Sequence, residues 1–151
     1  MRGMPAWPVF DGKTMKNAWM FAAGMLVSLC AAAGELRIGQ FDHDKLGIQG
    51  AQCTFEDRGH RNVLSTDWVE LYWLQVDGRL VKLVGRQTDA QIERQKKSKT
   101  WRQTVTGSGL TLVIDLVLTG TGEDAEGYKG TIDVRRGNDR KRIAVTVECG
   151  A

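Results

Sequence analysis

The chain has 151 residues, 21 of them basic and 18 acidic, for a formal charge of +3. That excess is too small to suggest a nucleic-acid partner, and no recognisable DNA- or RNA-binding motif accompanies it. Length alone allows one domain with one core, and no internal repeat or low-complexity tract divides the sequence.

The first informative stretch is Met15 to Glu35, "MKNAWMFAAGMLVSLCAAAGE". A basic start, an uncharged run from Ala18 to Ala33 and a closing Ala31-Ala32-Ala33 form the pattern of a secretory signal peptide. The run is shorter than the roughly 20 apolar residues of a membrane-spanning helix. Residues 1–14, with Pro5, Pro8, Asp11 and Lys13, fit neither signal nor domain, so Met15 is the expected translation start. Cys30 raises the alternative of a lipid anchor. A lipoprotein signal needs a small residue before that cysteine, and Leu29 stands there instead. Cleavage after Ala33 is therefore expected, with residues 1–33 removed and a single β-rich exported domain at 34–151. The location is periplasmic or secreted, with no transmembrane segment after cleavage. Cleavage removes three basic residues and one acidic, leaving 18 against 17, a charge of +1.

Two cysteines remain, Cys53 and Cys149, near opposite ends of the domain. In an exported protein they are expected to form a disulfide. A closed loop of roughly 95 residues should then stabilise the fold by about 3–5 kcal/mol. No Cys-x-x-Cys spacing suggests redox activity.

"IQGAQCTFEDRG" supplies a strand with Ala51, Cys53 and Phe55 on one parity. "NVLSTDWVELYW" reads as a strand either broken near Thr66-Asp67 or continuing onward. "YWLQVDGRLVKL" carries the strongest hairpin signal, because Asp77-Gly78 suits a two-residue type I′ turn. That turn pairs Val76 with Arg79, Leu74 with Val81 and Tyr72 with Leu83. The segment Arg86 to Thr100, "RQTDAQIERQKKSKT", has only Ala90 and Ile92 as apolar residues. It is expected to be a long polar loop with at most one helical turn, capped by Thr88 or Asp89.

Farther on, Leu110, Leu112, Ile114, Leu116 and Leu118 share one parity, the two-residue period of a strand with an apolar face. Tyr128, Gly130, Ile132 and Val134 repeat it, as do Ile143, Val145, Val147 and Cys149, across a turn at Arg136-Gly137-Asn138-Asp139. The predicted fold is all-β: one antiparallel β-barrel or β-sandwich of about six to eight strands with one disulfide.

Catalytic signals are sparse, and the chain is expected not to be an enzyme. Ser65, Ser98 and Ser108 occur in no G-x-S-x-G context, and His60 has no nucleophile beside it. Asp42-His43-Asp44 would need further ligands to hold a metal and reads as a solvated entry loop. No metal or cofactor is expected. The candidate binding residues are aromatic and basic: Trp68, Trp73 and Trp101, with the cluster Arg94, Lys96, Lys97, Lys99 and Arg102. Aromatics often carry interface energy, and an aromatic beside cations can stack on a ligand. The plain alternative puts Trp68 and Tyr72 in the core with Trp73 covering an edge, and leaves the cations as a solvated loop. A second basic group, Arg135, Arg136, Arg140, Lys141 and Arg142, surrounds a predicted turn. Asp115 interrupts an apolar strand between Val113 and Val117, which suggests an outer face partly covered by a loop or a partner.

The signal peptide, the spacing from Gly50 to Cys53, "VDGRLVKL" and terminal "VECG" resemble small exported bacterial β-rich proteins of uncharacterised families. The likeness covers about a third of the mature chain and implies a periplasmic location without an activity. In size, export and disulfide the chain is also similar to the small β-barrel lysozyme inhibitors of bacterial envelopes, though their inhibitory loop motif is absent. The expected function is a non-catalytic, monomeric binding module of the cell envelope that grips a protein partner. Inhibition of an envelope hydrolase is one specific form. The alternative is a small β-barrel that binds a lipid or small apolar ligand, which a void of about 300 Å³ or more would favour.

Overall fold

The computed structural model describes residues 34–150. The signal peptide, Cys30 and the choice of start at Met1 or Met15 lie outside the described residues. From Gly34 on, the chain forms one compact unit.

Nine antiparallel strands make one sheet: β1 (Ile38–Gly39), β2 (Gln52–Glu56), β3 (Asn62–Thr66), β4 (Leu71–Val76), β5 (Arg79–Val84), β6 (Thr100–Gly107), β7 (Leu110–Thr121), β8 (Ala125–Arg136) and β9 (Asp139–Gly150). The order is β1-β4-β3-β2-β9-β8-β7-β6, with β5 on the other side of β4. The count exceeds the expected six to eight partly through β1, whose two residues pair with Val76 and Gln75 and carry no periodicity to read. "NVLSTDWVELYW" is two strands, broken where the Asp67 carboxylate accepts from the backbone N–H groups of Val69, Glu70 and Leu71.

The hairpin register follows the turn chemistry. Asp77 (φ 50°) and Gly78 (φ 79°) both adopt the left-handed conformation that a type I′ turn requires, and Val76–Arg79, Leu74–Val81 and Tyr72–Leu83 pair as expected. The leucine-rich strand β7 buries Leu110, Leu112, Ile114 and Leu116, while β8 contributes Ile132 and Val134 and β9 contributes Val145 and Val147 to the same core. Cys53 and Cys149 face each other across β2 and β9 and are disulfide-bonded.

The sheet curls until its two outer strands, β5 and β6, meet, but no backbone ladder joins them. Gln103 bridges this seam. Its Nε2 donates to the Gly85 carbonyl at 2.5 Å, while its Oε1 accepts from Tyr72 Oη (2.6 Å), Gln87 Nε2 (2.7 Å) and Trp101 Nε1 (3.1 Å). Gly85 itself permits the approach, since a Cβ there would stand 2.5 Å from a Val105 methyl.

The expected loop at 86–100 contains a helix, α1 (Asp89–Ser98). Thr88 caps it in a reciprocal box with Gln91, and Lys99 ends it in the left-handed conformation (φ 54°). Its scarce apolar surface is offset by tertiary hydrogen bonds. Gln95 donates to the Arg102 carbonyl at 3.0 Å, and Gln87 reaches both Gln95 and Gln103. Such bonds join residues distant in sequence, so helical periodicity gives no notice of them.

Candidate ligand-binding site at the open end of the sheet

At one end of the curled sheet the strands stop short of each other, leaving a cleft of about 510 Å³. Its floor is made where inward-facing positions run out. Trp101 opens β6, Leu118 lies near the end of β7, and Tyr128 lies near the start of β8. Leu118 and Tyr128 are direct cross-strand partners. Trp101 meets Tyr128 and Phe55 edge-on, with ring centroids at 5.8 and 5.7 Å. It is 4% exposed, so its indole forms part of the floor, and its N–H is satisfied by Gln103.

The walls come from two irregular segments. The β3–β4 loop supplies Trp68 and Val69, and α1 with its flanks supplies Gln87, Ile92, Gln95, Lys96 and Lys99. Trp68 sits at φ 62°, its backbone N–H bonded to Thr66 Oγ1. Val69 is 59% exposed. Glu126 also faces the cleft, and its carboxylate accepts from the Tyr128 hydroxyl. Burial and this neighbouring carboxylate push the Tyr128 hydroxyl pKa upward. Burial does the same to Tyr72, beneath the seam. Both phenols are therefore neutral hydrogen-bond donors at physiological pH.

Of the eight candidate binding residues, the fold gathers four here: Trp68, Trp101, Lys96 and Lys99. Trp73 lies on the outer face of β4, opposite Ser65 and Lys82, while its neighbours Tyr72 and Leu74 point into the core. Tyr72 is a core residue and Trp68 is not, so the plain alternative is correct for the first and incorrect for the second. Arg94 and Lys97 are exposed on α1 away from the cleft. Arg102 projects from β6 and bonds Asp115 of β7 at 3.0 Å. That ion pair accounts for Asp115 on its strand's outer face, where Val117 is 54% exposed. Ile92, Leu118, Tyr128, Glu126 and the glutamines were not among the expected binding residues. The inward parity of Leu118 and Tyr128 near strand ends was the available signal.

The other candidate clusters have structural partners. Around the β8–β9 turn, Arg135 and Arg140 both bond Asp133, and Arg136 pairs with Asp77. His43 Nδ1 lies 2.8 Å from Ser65 Oγ, a serine–histidine contact by distance. Ser65 is fully buried and also bonded to Asn62, which leaves no access for a substrate. The contact instead fastens the entry segment over the outer face of β3. Among the described residues, no three His, Cys, Asp or Glu side chains are grouped to hold a metal ion.

Fold and site together define a class: a disulfide-stapled, curled antiparallel sheet with a cleft of mixed apolar and polar lining at its open end. No protein-family model, curated protein or solved structure matches the chain.

Proposed function

We propose that this protein is an exported binding domain that holds a small, largely apolar ligand in the cleft at the open end of the sheet. The observation that carries the proposal is the cleft. Its volume of about 510 Å³ falls within the range of small-molecule sites, and Trp101, Ile92, Leu118 and Val69 supply apolar lining. Export is supported by the signal-like pattern of residues 15–35 and by the disulfide. No helix among the described residues is long and apolar enough to cross a membrane. The Tyr128 phenol and the amides of Gln87 and Gln95 suit holding a ligand.

The test is titration with the uncharged fluorophore N-phenyl-1-naphthylamine, which brightens in apolar surroundings. Saturable one-to-one binding is expected, and Ile92→Asp, a helix-surface change, should abolish it without unfolding the domain. Absence of saturable binding to the wild-type protein overturns the proposal.

A protein partner gripped at the cleft rim is the second reading. Trp68 and Val69 favour it, because both are exposed on a loop that Asp67 holds in place. An inhibitor of an envelope hydrolase would use this rim. Capture of one envelope protein by the wild type at high salt, lost in a folded Trp68→Ala variant, would support that use.

A further inference from the structure

We propose that the cleft selects single-chain amphiphiles with an anionic head group, the head held by Lys96 and Lys99 and the chain laid against Trp101 and Leu118. This inference rests on the small-ligand reading above and adds the chemistry of the ligand. Three charged side chains line the cleft: Lys96, Lys99 and Glu126. They stand on different elements. The two lysines stand at the C-terminal end of α1, whereas Glu126 stands on β8 and accepts a hydrogen bond from Tyr128.

The lysine side can accept a negative charge. Lys99 has no ion-pair partner among the described residues. The partner of Lys96 is Glu93 at 3.4 Å, with both side chains about 70% exposed (69% and 73%). An exposed pair of that kind contributes little, so a ligand carboxylate can replace it at small cost. A helix C-terminus ordinarily repels anions through its free carbonyls. Here the Lys99 N–H approaches the carbonyls of Gln95 and Lys96, which reduces that repulsion. Deeper in, Trp101 and Leu118 offer no charge, so a bound molecule must be ionic at one end and apolar along the rest. A cationic head would meet two ammonium groups against the single carboxylate of Glu126.

The experiment is displacement of N-phenyl-1-naphthylamine from the whole exported domain by dodecanoate, dodecyl phosphate, dodecanol and dodecyltrimethylammonium, all below their micellar concentrations. Both anions should displace the probe about tenfold more effectively than the alcohol or the cation. If dodecanoate alone is favoured, the head group is a carboxylate; if dodecyl phosphate alone is favoured, it is a phosphate. The double variant Lys96→Gln/Lys99→Asn keeps at 99 a residue tolerant of the left-handed conformation. It should bring the anions down to the level of dodecanol, with all compounds compared by displacement of the probe from the same variant. Arg94→Gln/Lys97→Gln removes the same charge outside the cleft and should preserve the preference. Equal displacement by all four compounds, or preference for the cation, overturns the head-group assignment while the cleft itself stands. Failure of the probe to bind at all would instead remove the small-ligand reading on which the assignment rests.

Discussion

The two ends of the sheet are built on different principles. At the closed end, short turns join successive strands: Asp77-Gly78, Ser108-Gly109 and Gly137-Asn138, with Asp57 bracing the β2–β3 turn through Arg61. Ion pairs link these turns, for Arg136 bonds Asp77 of the β4–β5 turn and also the Gly34 carbonyl. At the open end, strands are joined by the Asp67 loop, by α1 and by residues 122–124, and the interactions are mainly neutral: glutamine amides, phenols and an indole. Local turn chemistry thus secures one end. The other is left to long-range side-chain contacts, and the cleft lies there.

The largest expected effect tests what keeps the open end from spreading. The disulfide joins β2 and β9 directly opposite each other, beside Glu126 of the cleft, and closes a sequence separation of 96 residues. Its reduction, or Cys53→Ser with Cys149→Ser, should cost about 3–5 kcal/mol in chain-entropy terms. Denaturant unfolding with and without reductant measures this. A loss below about 1 kcal/mol would mean that the sheet holds its open end without the bridge.

Gln103 gives the next effect. Gln103→Ala removes one acceptor shared by three donors and the side-chain bridge across the β5–β6 seam. Leaving the Tyr72 hydroxyl and the Trp101 indole N–H without that partner should cost about 2–3 kcal/mol. Binding of the neutral probe should weaken with it, because Gln103 positions both the cleft floor through Trp101 and the α1 wall through Gln87. Loss of stability with unchanged probe affinity would separate the seam from the site.

The same division explains what the sequence reveals. The Asp77-Gly78 hairpin, its register, the alternation of Leu110 to Leu116 and the two inward cysteines are local patterns, and each is legible from the residues alone. The helix at Asp89–Ser98 is not, because Ile92 is nearly its whole apolar face and its anchors are Gln87, Gln95 and Gln103, separated by up to 16 residues. Trp101 shows both sides of the problem. Grouped with the neighbouring cations it reads as a surface aromatic. Along β6, however, Trp101, Gln103, Val105 and Gly107 alternate with exposed Arg102, Thr104 and Thr106. That parity places Trp101 inside and marks Gln103 as a polar residue on an inward face. The cleft is illegible for a further reason: five separate segments contribute to it, and their meeting is a property of the curl.

Acid should separate the two ends by the smallest effect. Among the described residues, the carboxyl groups held below their ordinary range, Asp57, Asp77 and Asp133, all lie at the closed end. In each case a guanidinium hydrogen bond is the leading cause, from Arg61, Arg136 and Arg140 respectively. A carboxylate whose folded pKa is depressed favours the folded state fully above its unfolded value of about 3.9, and that contribution is lost as pH falls through the folded value. Stability should therefore be flat across neutral pH on account of these groups and begin to fall below about pH 4. Asp133→Asn, beneath two arginines, should lower the melting temperature by a few degrees at pH 7 and by less at pH 3. Amide hydrogen exchange at pH 3 against pH 7, corrected for intrinsic rates, should show protection lost first around Asp77 and Arg136 and retained beside Trp101. Earlier loss at the open end would mean that its neutral hydrogen bonds, rather than the ion pairs of the turns, are the acid-sensitive part of the fold.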